Sequence, residues 1–140
     1  MPFREKTAWL ALISMVVTFG PYFALVGTFA HGDALPNLRL LGLFAVAAIS
    51  QMIILGAGRF FLSRSAPEDA RVPPDERDLA ITRRSITSAY YVLIGGMIVV
   101  GCVMPFNSGG WSIINAALLM IVAAELVHYG VAIANYRRQA

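Results

Sequence analysis

The sequence predicts an all-α integral membrane protein, a four-helix bundle in one domain (residues 1–140) with N-terminus and C-terminus cytoplasmic. Three observations carry that reading. Hydrophobic residues make up 58% of the chain and charged residues only 14%, far from the composition of a soluble domain. The apolar residues gather into four runs, 7–29, 38–62, 86–104 and 112–136. Each is near the roughly 20 residues that cross a hydrocarbon core of about 30 Å. The basic residues alternate by side. Arg4 and Lys6 precede the first run, and Arg59, Arg64, Arg71, Arg77, Arg83 and Arg84 flank or lie in the link between the second and third. Arg137 and Arg138 follow the fourth, and Arg39 alone falls on the opposite side. That is the positive-inside pattern for an even number of spans. It makes the net charge of +3 a topology signal, so direct nucleic-acid binding is not expected. Little chain remains for a nucleotide-binding fold or a large site outside the lipid.

The first run is longer than the roughly 7–15 residues of a signal-peptide core, and no small-x-small cleavage site follows it, so it reads as a retained helix. Phe3 and Trp9 suit the interface. Pro21 follows Gly20 and frees a backbone carbonyl, with Thr18 and Tyr22 placed to satisfy it. HGDALPN, residues 31–37, has the backbone preferences of a tight outer turn. The second run carries Ser50 and Gln51 near its middle. Gly56 and Gly58 allow close approach of a neighbour, and Arg59 can snorkel to the inner surface.

Residues 63–85 form the one substantial polar segment, of mixed charge and with three prolines. Its first part reads as an extended linker. Asp75, after Pro73 and Pro74, is a credible N-cap, and Asp78 stands at capping-box spacing from it. The third helix is therefore expected to start near residue 75 and run to Met104. Leu79, Ile81 and Ile86 would lie at the membrane surface, with Arg83 and Arg84 near anionic headgroups. PFNSGG, residues 105–110, breaks the chain again, and Trp111 marks the interface. Cys102 is alone, so it builds no internal disulfide or metal cluster and reads as a small apolar packer.

Glu125 is the residue that needs explaining, because a carboxylate inside a membrane run is costly. At about 1.5 Å per residue it lies roughly 16 Å from the level of Tyr136. The same count puts Gln51, Thr18 and the Gly95–Gly96 pair at similar depth, a candidate polar layer. Glu125, Tyr129, Ala132 and Tyr136 share one helical stripe, with His128 beside it, and the stripe is expected to face the bundle or a partner. In the structural reading Glu125 is a neutral acid hydrogen-bonded to Gln51, Thr18 or a tyrosine. In a second reading it exchanges a proton for a cationic substrate, and in a third it pairs with a partner's base. Glu125 and His128 also form E-x-x-H, the spacing of di-metal bundles. Such a site needs four carboxylates, and haem needs axial ligands that are not here, so no metal or cofactor is expected. No serine or cysteine pairs with a base from the sequence, so no enzyme is expected either.

PDERDLAITRRSITSAYYVL, residues 74–93, and ELVHYGVAIANYRR, residues 125–138, together resemble a family of small four-span bacterial membrane proteins of unknown function. That family carries a D-E-R-D motif before its third helix, an aromatic pair within it, and an E-L-x-x-Y last helix ending in Y-R-R. The matching residues are Asp75, Glu76, Arg77, Asp78, Tyr90, Tyr91, Glu125, Leu126, Tyr129, Tyr136, Arg137 and Arg138, and residues 3–9 are also similar. His128 lies outside the pattern. The resemblance implies a multi-pass protein of the bacterial cytoplasmic membrane and a cytoplasmic regulatory protein as partner.

The expected function is binding, as a regulator or assembly partner in the lipid bilayer. Residues 75–84 with Arg137 and Arg138 would form the contact face, and Glu125, Gln51 and Tyr129 would hold the bundle or a homodimer. The alternative is a small proton-coupled transporter working through Glu125. It resembles small multidrug exporters in size and span count, but those carry their glutamate in the first helix rather than the fourth.

Overall fold

The computed structural model describes residues 2–29, 38–107 and 110–139. The outer turn expected at residues 31–37, with His31, lies outside them. Among the described residues every element is helical. They are α1 (Phe3–Phe29), α2 (Leu38–Ser65), the short α3 (Pro67–Arg71), α4 (Glu76–Ile98), a π-helical segment (Val99–Val103), α5 (Met104–Asn107) and α6 (Trp111–Arg138). Four stretches are long and apolar enough to span a membrane: Phe3–Leu25, Leu38–Ser65, Glu76–Asn107 and Trp111–Arg138. The third is longer than the sequence indicated, because the helix carries on past Met104 through Pro105.

The helices pack antiparallel, chiefly as α2 on α1, α1 on α6, and α6 on α4. The spatial order is thus α2–α1–α6–α4, with the last helix in the middle. The consequence shows in exposure. A compact 15.2 kDa monomer would expose about 7,100 Å², and this chain exposes 8987 Å². The outer helices show large apolar side chains, among them Met52 at 74% and Tyr91 at 69%. In a membrane these are lipid-facing surfaces, since lipid does not drive apolar groups inward.

Two helix pairs close on glycine. A side chain at Gly58 would run into Leu10 of α1, and one at Gly96 would run into Met120 of α6. Their neighbours Gly56 and Gly95 face open space, so one glycine of each expected pair makes the approach. The shared core joins Met15, Phe19 and Tyr22 of α1 to Ala47 of α2 and Val122 of α6. Gly110, at φ 58°, turns the chain into α6, a backbone conformation at no steric cost to glycine.

Three local expectations are corrected. The chain stays helical through Pro21, but Thr18 and Tyr22 bond elsewhere than its freed carbonyl. Ile81 is buried against Ala132 and Tyr136 rather than at the surface. Cys102 is exposed on the π segment rather than packed inside.

Candidate functional site

The expected mid-membrane polar layer divides into two sites. The first is inside, between α1 and α2. The Gln51 side-chain amide is buried, donates to Ser14 Oγ at 2.9 Å and accepts from Thr18 Oγ1 at 3.0 Å. Both hydroxyls also reach carbonyls of their own helix, Ser14 to Ala11 O at 3.0 Å and Thr18 to Ser14 O at 2.9 Å. Both atoms of the Gln51 amide thus have a partner, as a buried polar group requires, with the single Thr18 proton shared between the Gln51 oxygen and Ser14 O. Ser14 was not anticipated, although it stands one helical turn before Thr18. Higher in the bundle, Tyr22 Oη donates to Asn115 Oδ1 at 3.1 Å and ties α1 to α6.

The second site holds Glu125, and it faces outward. Val122 and Ala124 take the buried positions at that level of α6, so Glu125 is exposed while Ala132 and Tyr136 of the same stripe are buried. The stripe turns out of the bundle along its length. Glu125 makes no hydrogen bond or ion pair with a described residue, and Gln51 and Thr18 engage each other instead. Glu125 lines a groove between α4 and α6 with Tyr90, Leu93, His128 and Tyr129. The facing residues of α4 are thus Tyr90 and Leu93, about a turn from the Gly95–Gly96 level reached by counting, because Gly96 meets Met120. His128 packs its ring 4.9 Å from that of Tyr129, and its Nδ1 is buried without a partner.

The motif residues form a third cluster at the end of the molecule that carries both termini. Asp75 caps α4, accepting from Asp78 N at 2.7 Å, and Asp78 Oδ2 accepts from Asp75 N at 3.3 Å. This is the capping box expected from the spacing. Asp78 has two further partners. Tyr136 Oη of α6 donates to its Oδ1 at 2.9 Å, and Arg4 Nε of α1 pairs with its Oδ2 at 3.2 Å. Arg77 reaches across to Gln139 Oε1 at 2.7 Å and to Tyr136 O at 3.3 Å, a cation at a helix C-terminus. Arg137 lies over the Trp9 ring and 3.7 Å from Glu5. Asp75, Arg77 and Asp78 are therefore engaged within the chain, which leaves Glu76, Arg83 and Arg138 outward on the expected contact face.

Among the described residues no group of three or more histidine, cysteine or acidic side chains could hold a metal. Comparison with protein-family models, with curated proteins and with solved structures gives no match, so the family resemblance rests on the quoted residues alone.

Proposed function

We propose that this is a non-enzymatic membrane protein that acts by association, as an assembly partner or regulator, and that the α4–α6 groove at Glu125 is its contact surface within the bilayer. One observation carries the reading: an exposed, unpartnered carboxyl on an apolar helix face. Such a group is costly against lipid and is satisfied when a second chain brings a donor or a cation to it. The terminal end, where all the described basic residues except Arg39 collect, supports a cytoplasmic placement of both termini. Its outward residues Glu76, Arg83 and Arg138 offer the second face, for a cytoplasmic partner.

The test is a photo-crosslinking residue at Tyr90 in native membranes, with Met52 on α2 as a lipid-facing control. A protein adduct from position 90, absent from 52 and lost in Glu125→Gln, is the expected result. Equal adducts at both positions, or none at 90, would remove the groove from consideration.

A second reading, proton-coupled transport, draws on a separate observation. His128 and Tyr129 line both the Glu125 groove and a cavity at the terminal end. It requires that cation gradients drive proton movement in liposomes containing the wild type and not Glu125→Gln. A silent wild type across a broad cation panel sets it aside.

A further inference from the structure

The terminal-end cavity has about 390 Å³, within the range of small-molecule sites. It lies where α1, α2, α3, α4 and α6 meet, over a floor that includes Ala8, Ala11 and Leu55. Its polar walls can be sorted by what each group has left to give. Thr7, Thr82 and Ser85 donate their hydroxyl protons to carbonyls of their own helices at 2.8–2.9 Å. Tyr136 donates to Asp78. These groups have no proton left for a ligand.

The remaining groups are mostly donors. Arg59 lines the cavity and makes no hydrogen bond or ion pair with a described residue. Arg4 is oriented by Asp78 at Nε and lies 3.5 Å from Val72 O through Nη2, which leaves Nη1 unengaged. The Tyr129 hydroxyl is also unengaged, and His128 Nδ1 is buried without a partner. Against them stands one acid, Asp69 of α3. Arg59 is six residues from the end of α2 at Ser65, about 9 Å along the axis. That depth suits a side chain reaching toward headgroups from inside the lipid boundary.

A cavity with two guanidinium groups against a single acid, over an apolar floor, is matched to an anion. The planar fork of arginine favours phosphate, which it can bind through two parallel hydrogen bonds. We propose that this cavity binds a phosphate-bearing anion, with Arg59 as its principal ligand and Arg4, held in place by Asp78, as the second. The phosphate belongs either to an anionic lipid headgroup or to a soluble phosphate compound. The proposal does not depend on association through Glu125.

Purified protein, stripped of lipid in a neutral detergent, is titrated with phosphatidylglycerol in mixed micelles and, separately, with inorganic phosphate. Binding is read by native mass spectrometry and by thermal shift. Arg64→Gln serves as the charge-matched control, because Arg64 lies over the Phe60 ring at the end of α2 and outside the cavity lining. The wild type and Arg64→Gln should bind saturably, and Arg59→Gln should bind about tenfold or more weakly with an unchanged melting temperature in the absence of ligand. Binding of phosphatidylglycerol alone assigns the headgroup, and competition by inorganic phosphate assigns the soluble source. Equal binding by all three proteins, or no saturable binding of either probe, overturns the site.

Discussion

Gln51 and Glu125 are both polar side chains in apolar helices at similar depth, yet the protein treats them in opposite ways. Gln51 is buried, and its amide is bonded on both sides by Ser14 and Thr18. Glu125 is exposed beside α4 and bonds to nothing described. A polar group in lipid that is fully bonded within its own chain is explained by the fold. One that faces outward with its capacity unengaged points to something beyond the chain. The same contrast recurs in the D-E-R-D segment, where Asp75, Arg77 and Asp78 hold helices together and Glu76 faces out.

Substitutions can test the contrast, and the largest effect is expected at Asp78. Asp78→Ala removes half of the capping box and the Tyr136 bond, and should cost about 2–3 kcal/mol in thermal unfolding in detergent. The Arg4 pair adds little, since the Arg4 side chain is 41% exposed and such pairs are screened. This also bears on partner recovery: neutralising Asp75 and Asp78 would loosen the helix ends, so Glu76→Gln is the cleaner probe of a contact face. Gly96→Val should come next, at about 1–3 kcal/mol of overpacking against Met120, with Gly95→Val, at an open position, changing the same melting curve far less. Gln51→Leu should cost about 1 kcal/mol, because Ser14 and Thr18 keep acceptors on their own helix. Glu125→Gln should be the mildest, within about 0.5 kcal/mol in the same assay, while losing the Tyr90 adduct. If Glu125→Gln destabilised the monomer more than Gln51→Leu, the contrast would fail.

What could be read from the sequence follows from what is local. The spans were legible because length and apolarity are summed along the chain. The Asp75 cap was legible because its partner is three residues away. Depth counting also put Thr18 and Gln51 in one layer, and they are hydrogen-bonded. Rotation was not legible. The four spans are apolar nearly all round, so no stripe tells which side faces in, and the sequence left open whether Glu125 faces the bundle or a partner, where the structure turns it outward. The Asp78–Tyr136 and Tyr22–Asn115 bonds join residues far apart in the chain, and nothing in their neighbourhoods announces the partner.

The order α2–α1–α6–α4 carries a consequence for how the protein is made. Synthesis runs from the N-terminus, so α1, α2 and α4 enter the membrane before the helix that sits between them exists. Until α6 arrives, the α1–α2 hairpin and α4 have no continuous interface and meet only through terminal-end contacts such as Arg4 with Asp78. The last span is thus the keystone: a chain stopped before Trp111 lacks the helix that joins the α1–α2 hairpin to α4 along their length.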